Sequence, residues 1–194
     1  MALQADLFAA ASTYPAGLLY RDEFIDRDEE ARLLAHARTL PIAEARYRQY
    51  TAKRRTASFG FGYDFTSNRL QPAPPIPAFL LPLRERVAKL TGIPAESFVQ
   101  GLVTEYRPGT PIGWHRDVPP FGTVAGISLA SACRMRFRPY PPSRSTARAG
   151  FVLALAPRSV YVLADAIRWE WQHSIPDVPA LRWSITFRTL RASG

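Results

Sequence analysis

Residues 181–190 read L-R-W-S-I-T-F-R-T-L, and they alternate strictly enough to name both faces of a strand. Arg182, Ser184, Thr186 and Arg188 fall on one face, Trp183, Ile185 and Phe187 on the other, because successive side chains of an extended chain point to opposite sides. With the apolar face packed between sheets, the polar face points into a barrel mouth. Two arginines and two hydroxyls enclosed there are costly unless an anion pairs with them. A dicarboxylate meets that demand, because arginine binds carboxylates bidentately. The competing reading is an edge strand whose arginines face solvent.

Moving toward the N-terminus, short runs of the same character recur at 98–106, 124–130, 134–138, 150–155 and 159–163. Turn-rich pieces such as RPGTP, DVPPFG and PYPPSRS separate them. Several short strands at this spacing predict a sandwich or barrel. The front of the chain differs. Asp26 followed by Glu29 forms a capping-box pattern before a helix over 27–38. A second helix is expected over 78–90, weakened by Pro82 and closed by Gly92. Residues 56–65, TASFGFGYDF, predict a strand or, given two glycines, a bent hairpin arm, with Phe59, Phe61, Tyr63 and Phe65 on one side. Residues 1–20 are expected to be a lead-in. The fold class is therefore mainly β with flanking helices (α+β), the helices buttressing one sheet, and residues 1–194 are expected to form one domain.

Composition agrees with an ordinary globular chain. In 194 residues, 47% are hydrophobic and 21% charged, which excludes wholesale disorder. No apolar run approaches the roughly 20 residues of a membrane span, and no basic leader opens the chain. The expectation is a cytoplasmic monomer with no membrane partner. One cysteine, Cys133, excludes a disulfide framework or a Cys-rich zinc module. The charge is the outlier: 25 basic against 16 acidic residues, net +9. Seven of the acids lie in the first 30 residues, and two basic clusters follow, Arg46–Arg55 interleaved with Tyr47 and Tyr50, and Arg134–Arg148 without an acid. Such patches neutralise phosphates, and interleaved tyrosines stack on bases.

Only three histidines are present. His36 belongs to the first predicted helix. His115 lies in G-W-H-R-D, where His115 and Asp117, two residues apart, project to the same side of an extended segment. His173 ends W-E-W-Q-H, read here as a strand with Trp169 and Trp171 in the core. Two imidazoles and a carboxylate on one face make the set that holds Fe(II) with positions left open. A surface histidine near an aspartate, plus an unrelated core histidine, would give the same letters.

The order Y-R-P-G-T-P-I-G-W-H-R-D, then W-x-W-x-H-x-I-P, then R-W-S-I-T-F-R resembles the AlkB family of Fe(II)- and 2-oxoglutarate-dependent dioxygenases, from about residue 53 to 190. The resemblance implies a double-stranded β-helix (jelly-roll) core over 98–190, and a nucleotide-recognition lid over 53–65. It implies iron held by His115, Asp117 and His173, and 2-oxoglutarate gripped by Arg182 and Arg188, with Arg182 at the distal carboxylate. Tyr106 matches the tyrosine of the family's N-x-Y motif, whose asparagine is replaced here by Thr104; Thr186 lies between the two arginines. The implied reaction consumes O2 and 2-oxoglutarate, releases succinate and CO2, and hydroxylates a substrate methyl group. A hydroxymethyl on nitrogen then collapses to formaldehyde and the unmodified base.

The substrate implied by the resemblance is an N-alkylated base in DNA or RNA, of the 1-methyladenine or 3-methylcytosine type, extruded or single-stranded. Phe59, Tyr63 and Trp114 are expected as aromatic walls, Arg54 and Arg55 as phosphate contacts, and Arg116 as a further substrate contact. The competing reading of the phenylalanines is core packing, which is expected for at least two of them. Pro119 stands where repair members of the family often place a second acid that reads the base. The alternative is a dioxygenase for a protein or small-molecule substrate.

Overall fold

The computed structural model describes residues 14–47, 50–143 and 149–192, with side chains described outside 45–52. Thus Arg48, Arg144 and Arg148, and the side chains of Arg46, Tyr47 and Tyr50, lie outside the described residues. The strands are β1 (Leu18–Arg21), β2 (Ala43–Tyr47), β3 (Tyr50–Phe59), β4 (Phe61–Asp64), β5 (Arg69–Pro72), β6 (Phe98–Tyr106), β7 (Ile112–His115), β8 (Phe121–Leu129), β9 (Cys133–Pro139), β10 (Phe151–Leu155), β11 (Val160–Leu163), β12 (Trp171–Ile175) and β13 (Arg182–Leu190). The helices are α1 (Arg27–Thr39), α2 (Leu81–Thr91) and the short α3 (Asp165–Trp169).

A seven-stranded major sheet runs β1-β11-β8-β13-β6-β3-β2, and a four-stranded minor sheet runs β10-β9-β12-β7. Between β6 and β13 the chain passes repeatedly from one sheet to the other, and the pairings are antiparallel. This is the jelly roll, with β1, β2 and β3 widening the major sheet. The hairpin β4–β5 forms a separate two-stranded sheet.

The described residues form two cores. One lies between α1, α2 and the major sheet, and contains Leu33, Leu83, Val87, Phe98, Trp183, Ile185 and Phe187. The other lies between the sheets, around Met135, Phe137, Leu153, Leu155 and Ile175. The apolar face of β13 therefore packs beneath the helices and not between the sheets as expected. The inter-sheet space on the other side of β13 is left to its polar face.

Two further expectations change. Pro82 does not weaken a helix interior; it sits in the first turn of α2, where its missing N–H needs no acceptor. Trp169 is not a strand residue in the core. It ends α3, half-buried, with the Arg168 and Arg191 guanidiniums 4.2 and 4.8 Å from its ring centroid. The capping of α1 matches the sequence: the Asp26 side chain accepts from the Glu29 N–H at 2.7 Å. Asp26→Ala should cost about 1 kcal/mol, a Tm drop of roughly 2–4 °C for a domain of this size. An unchanged melt by circular dichroism would show that this cap contributes nothing.

Three acids of the N-terminal segment, Glu23, Glu29 and Glu30, are held in ion pairs. Arg158 bridges Glu23 at 2.6 Å and Glu30 at 3.2 Å, which fastens α1 to the turn before β11. Glu29 pairs with Arg86 of α2.

Candidate active site

A cavity of about 680 Å³ opens between the sheets. Its floor is the polar face of β13 and the strands beside it. Register places Thr104 and Ser128 on either side of Ser184, Leu102 and Gly126 beside Thr186, and Gln100 beside Arg188. Tyr161 of β11 pairs with Gly126. A β-carbon at Gly126 would collide with the Tyr161 ring, so the absent side chain lets Tyr161 lie over that row and line the cavity. Burial pushes the Tyr161 phenol up, so it stays a neutral donor.

The minor sheet supplies the opposite wall. His115 ends β7 and pairs across the ladder with His173 of β12. Their ring centroids are 4.3 Å apart, and Asp117 follows just past the end of β7. His173 Nε2 lies 3.7 Å from Asp117 Oδ2. His115 Nδ1 donates to the Gly113 carbonyl at 2.8 Å, which leaves Nε2 with its lone pair. Burial lowers both imidazoles, His173 to about 3. For Asp117 burial works upward, but Arg188 first, then the two imidazoles and Arg168, outweigh it and hold the carboxyl below its ordinary range. The cluster thus presents two neutral nitrogens and a carboxylate.

Among the described residues, no group of three or more His, Cys, Asp and Glu side chains is already closed around a metal position. Arg188 holds Asp117 Oδ1 through Nε and Nη2, at 2.9 and 2.6 Å. Oδ2 remains toward His173. Two ligands each about 2.1 Å from one ion stand no more than about 4.2 Å apart, so the 3.7 Å separation lies within that reach.

Arg188, expected at a co-substrate carboxylate, also makes protein contacts through all three of its nitrogens. Its remaining nitrogen, Nη1, donates to Gln100 Oε1 at 2.8 Å, and Gln100 Nε2 donates to the Phe61 carbonyl at 2.7 Å. The guanidinium therefore orients Asp117, with three of its five N–H groups already committed to protein oxygens. Arg182 is the opposite case. It is 1% exposed, its Nε donates to Ser128 Oγ at 3.2 Å, and Nη1 is buried without a partner. Its guanidinium carbon lies 4.9 Å from the Tyr106 ring centroid. A buried cationic nitrogen with no acceptor, in a cavity also lined by Thr104, Ser184, Thr186 and Tyr161, is a seat for an anionic oxygen.

The expected substrate residues divide by strand face. Arg54 and Tyr63 line the cavity. Arg55 does not: adjacent residues of β3 face opposite ways, and Arg55 pairs with Glu105 at 3.2 Å and the Ile42 carbonyl at 3.2 Å. Phe59 is core, 8% exposed, on the helix side. The alternation breaks at Gly60, whose φ of 73° and close approach to the Val99 carbonyl admit no side chain. Beyond that bend, Tyr63 and Phe65 turn to the cavity, with their rings edge-to-face at 4.9 Å. Trp114 borders the rim, but the Arg138 and Arg136 guanidiniums lie 4.4 and 5.3 Å from its ring centroid. Arg116, also on the rim, stacks on Tyr140 at 3.8 Å and donates to the Trp169 carbonyl.

Sequence reasoning missed Gln100, Gly126, Ser128, Tyr161 and Arg168. Arg168, 3% exposed, donates to the Val118, Phe121 and Gly122 carbonyls and so ties down the loop after Asp117. None of these carries a motif. Only strand neighbourhood shows where they point.

The family model of the 2OG-Fe(II) oxygenase superfamily matches residues 23–188. The chain belongs to that superfamily. Membership makes it an Fe(II)- and 2-oxoglutarate-dependent oxygenase with O2 as the oxidant, and its relatives make it AlkB-like. It is 29% identical over 186 residues to the alkylated DNA repair protein ALKBH8 homolog of Arabidopsis thaliana, covering 82% of this chain and 51% of that protein. It is 27% identical over 169 residues to mouse tRNA (carboxymethyluridine(34)-5-O)-methyltransferase ALKBH8, covering 83% of this chain and 24% of that protein. The chain thus spans about half or less of these relatives. In fold it is similar to OsALKBH1, with TM-score 0.67, 15% identity and coverage of 89% of this chain and 96% of that one. A Pseudomonas putida prolyl-4-hydroxylase gives TM-score 0.63 at 14% identity, with 91% and 94% covered.

The residues present suit the superfamily's cofactors. The donor set is two neutral imidazoles and an ionised carboxylate, and the unpartnered Arg182 nitrogen suits a co-substrate carboxylate. A valine at Gly126 should drive Tyr161 into the co-substrate bed. Gly126→Val is expected to raise the KM for 2-oxoglutarate more than ten-fold. An unchanged KM in steady-state assays would show that the bed tolerates the ring elsewhere.

Proposed function

We propose that this oxygenase is an oxidative demethylase of N-alkylated nucleobases in DNA or RNA, of the 1-methyladenine or 3-methylcytosine type. One observation carries it. The cavity that holds His115, Asp117 and His173 is also lined by Tyr63 and Phe65 from the separate β4–β5 hairpin and by Arg54 from β3. Two aromatic faces and a cation beside the oxidising centre suit a flat, polar base still attached to its phosphate. The printed names of the Arabidopsis and mouse relatives, which refer to alkylated DNA and to tRNA, point the same way.

In this proposal His115, Asp117 and His173 hold Fe(II), and Arg182 takes the distal carboxylate of 2-oxoglutarate. When bound, iron and co-substrate supply the oxidation of a methyl C–H to a hydroxymethyl, with O2 consumed and succinate and CO2 released. The protein's own residues do the rest. Arg188 fixes the Asp117 carboxylate, so that Oδ2 faces the imidazoles. Thr104, Thr186, Ser184 and the Tyr161 hydroxyl line the co-substrate bed with hydrogen-bonding groups. Tyr63 and Phe65 together form an aromatic wall against which the base rests, which keeps its methyl carbon oriented. The hydroxymethyl leaves nitrogen as formaldehyde.

The test is turnover with Fe(II) and 2-oxoglutarate on methylated oligonucleotides, following formaldehyde and the restored base. Demethylation of either lesion is the expected result. Co-substrate consumption without demethylation of 1-methyladenine or 3-methylcytosine, in DNA and RNA alike, would overturn it in favour of a protein or small-molecule substrate.

A further inference from the structure

The minor sheet has a second face, turned away from the cavity. Ladder register puts His115, His173 and Phe137 in one row, which faces the inter-sheet space. The neighbouring positions point outward: Arg136 beside Ser174, and Arg138 beside Gln172. Along β9 exposure alternates, with Arg134 and Arg136 exposed while Cys133, Met135 and Phe137 are buried. Trp114, adjacent to His115, points to this outer face. Arg138 and Arg136 lie over its ring, and each is anchored through Nε, on Gln172 Oε1 at 2.9 Å and Ser174 Oγ at 3.1 Å. At the rim, Arg116 stacks on Tyr140, with its Nη1 donating to the Trp169 carbonyl.

These arginines differ from five others. Arg55, Arg86, Arg107, Arg158 and Arg188 each pair with a carboxylate. Among the described residues Arg116, Arg134, Arg136 and Arg138 pair with none. Stacking on an aromatic face and anchoring through Nε hold a guanidinium in place with its Nη edge outward, which is the geometry for a bidentate grip on phosphate. Four like charges on one face repel one another unless a polyanion meets them. The patch also starts at the cavity rim, since Trp114 and His115 are neighbours on opposite faces of β7.

We infer that the outer face of the minor sheet, centred on Trp114, Arg134, Arg136 and Arg138, binds the phosphate backbone of the nucleic-acid strand whose base enters the cavity. This rests on the nucleobase assignment above and extends it from one base to the flanking strand. Each phosphate neutralised on a single strand contributes about 0.7 to the slope of log affinity against log salt. Losing three contacts should therefore flatten that slope by about 2.

The experiment compares the wild-type chain with Arg134→Gln/Arg136→Gln/Arg138→Gln, by fluorescence anisotropy on an unmethylated single strand of about 15 nucleotides across a salt series. The variant is expected to bind at least ten-fold more weakly at low salt and with the flatter slope, while its uncoupled consumption of 2-oxoglutarate is unchanged. Equal affinity and slope would overturn the inference, as would no binding by the wild type. Should the triple variant fail to fold, the exposed single change Arg134→Glu must still weaken binding several-fold, and no change there counts against the surface. Turnover of a methylated trinucleotide, which offers only two linking phosphates, separates the two ideas. Trinucleotide turnover with unaltered strand binding leaves the demethylase standing without this surface. Weakened strand binding with no trinucleotide turnover leaves the surface standing without the demethylase.

Discussion

Asp117→Ala abolishes co-substrate turnover, by at least 1,000-fold, in a chain that still folds. The expected loss follows from the proposed loss of the only carboxylate in the donor set. Stability should fall too, because Arg188 keeps its buried charge after its anion is gone. The side chains are only 14% and 6% exposed. Breaking such a pair costs about 3 kcal/mol, at the low end because solvent reaches the cavity, which is a Tm loss of roughly 6–12 °C. Asp117→Asn separates the two effects. Its amide oxygen can still accept from Arg188, so the melt should move less, yet turnover should still drop by at least 100-fold. Full activity in the asparagine variant would show that the carboxylate is not an iron ligand.

The second large effect belongs to Arg182, and its two parts have opposite signs. Arg182→Met removes the proposed seat of the distal carboxylate. Two charge-assisted hydrogen bonds, at about 1.5–3 kcal/mol each, correspond to a rise of at least 100-fold in the KM for 2-oxoglutarate. The free enzyme should be no less stable, because the variant no longer buries a cation with an unpartnered Nη1. Thermal shift reads both parts at once: added 2-oxoglutarate should raise the Tm of the wild type and leave that of the variant unmoved. Arg188→Met is the contrast, expected to lower kcat through a misplaced Asp117 more than it raises the KM. Equal responses from both arginines would mean that the division of labour between them is wrong.

The strict alternation of 181–190 placed Arg182, Ser184, Thr186 and Arg188 on one face from the letters alone; the string of short strands pointed to a sandwich or barrel, and the jelly roll itself came from the resemblance to the AlkB family. The packing partner of the other face was not legible. Whether Trp183, Ile185 and Phe187 meet a sheet or a helix depends on how distant elements stack. Arg55 could have been set apart from Arg54, since neighbours in a strand must face opposite ways. Phe59 needed more, because the bend at Gly60 resets the alternation for Tyr63 and Phe65. Tyr161 and Gly126 are invisible in sequence, since their meeting depends on β11 lying beside β8. Arg188 carries the same lesson: a motif gives its position, but only the neighbouring Gln100 and Asp117 determine what its nitrogens do.

The positive charge also divides into distinct jobs. Arg158 and Arg86 fasten helices, Arg168 ties a loop, and Arg182 and Arg188 belong to the cavity. Arg134, Arg136 and Arg138, which meet no carboxylate among the described residues, share one strand of the minor sheet.

The hydrogen bond from Gln100 to the Phe61 carbonyl sets how often the hairpin can stand away from the cavity. Phe61 follows directly after the bend at Gly60, and Gln100 is 3% exposed. Swinging the β4–β5 arm outward would strand a buried amide donor, a penalty of about 1–3 kcal/mol. At equilibrium that weights the closed arrangement over the open one by roughly 5- to 150-fold. Gln100 also holds Arg188, so the same amide would be released at the moment the arm that carries Tyr63 and Phe65 departs.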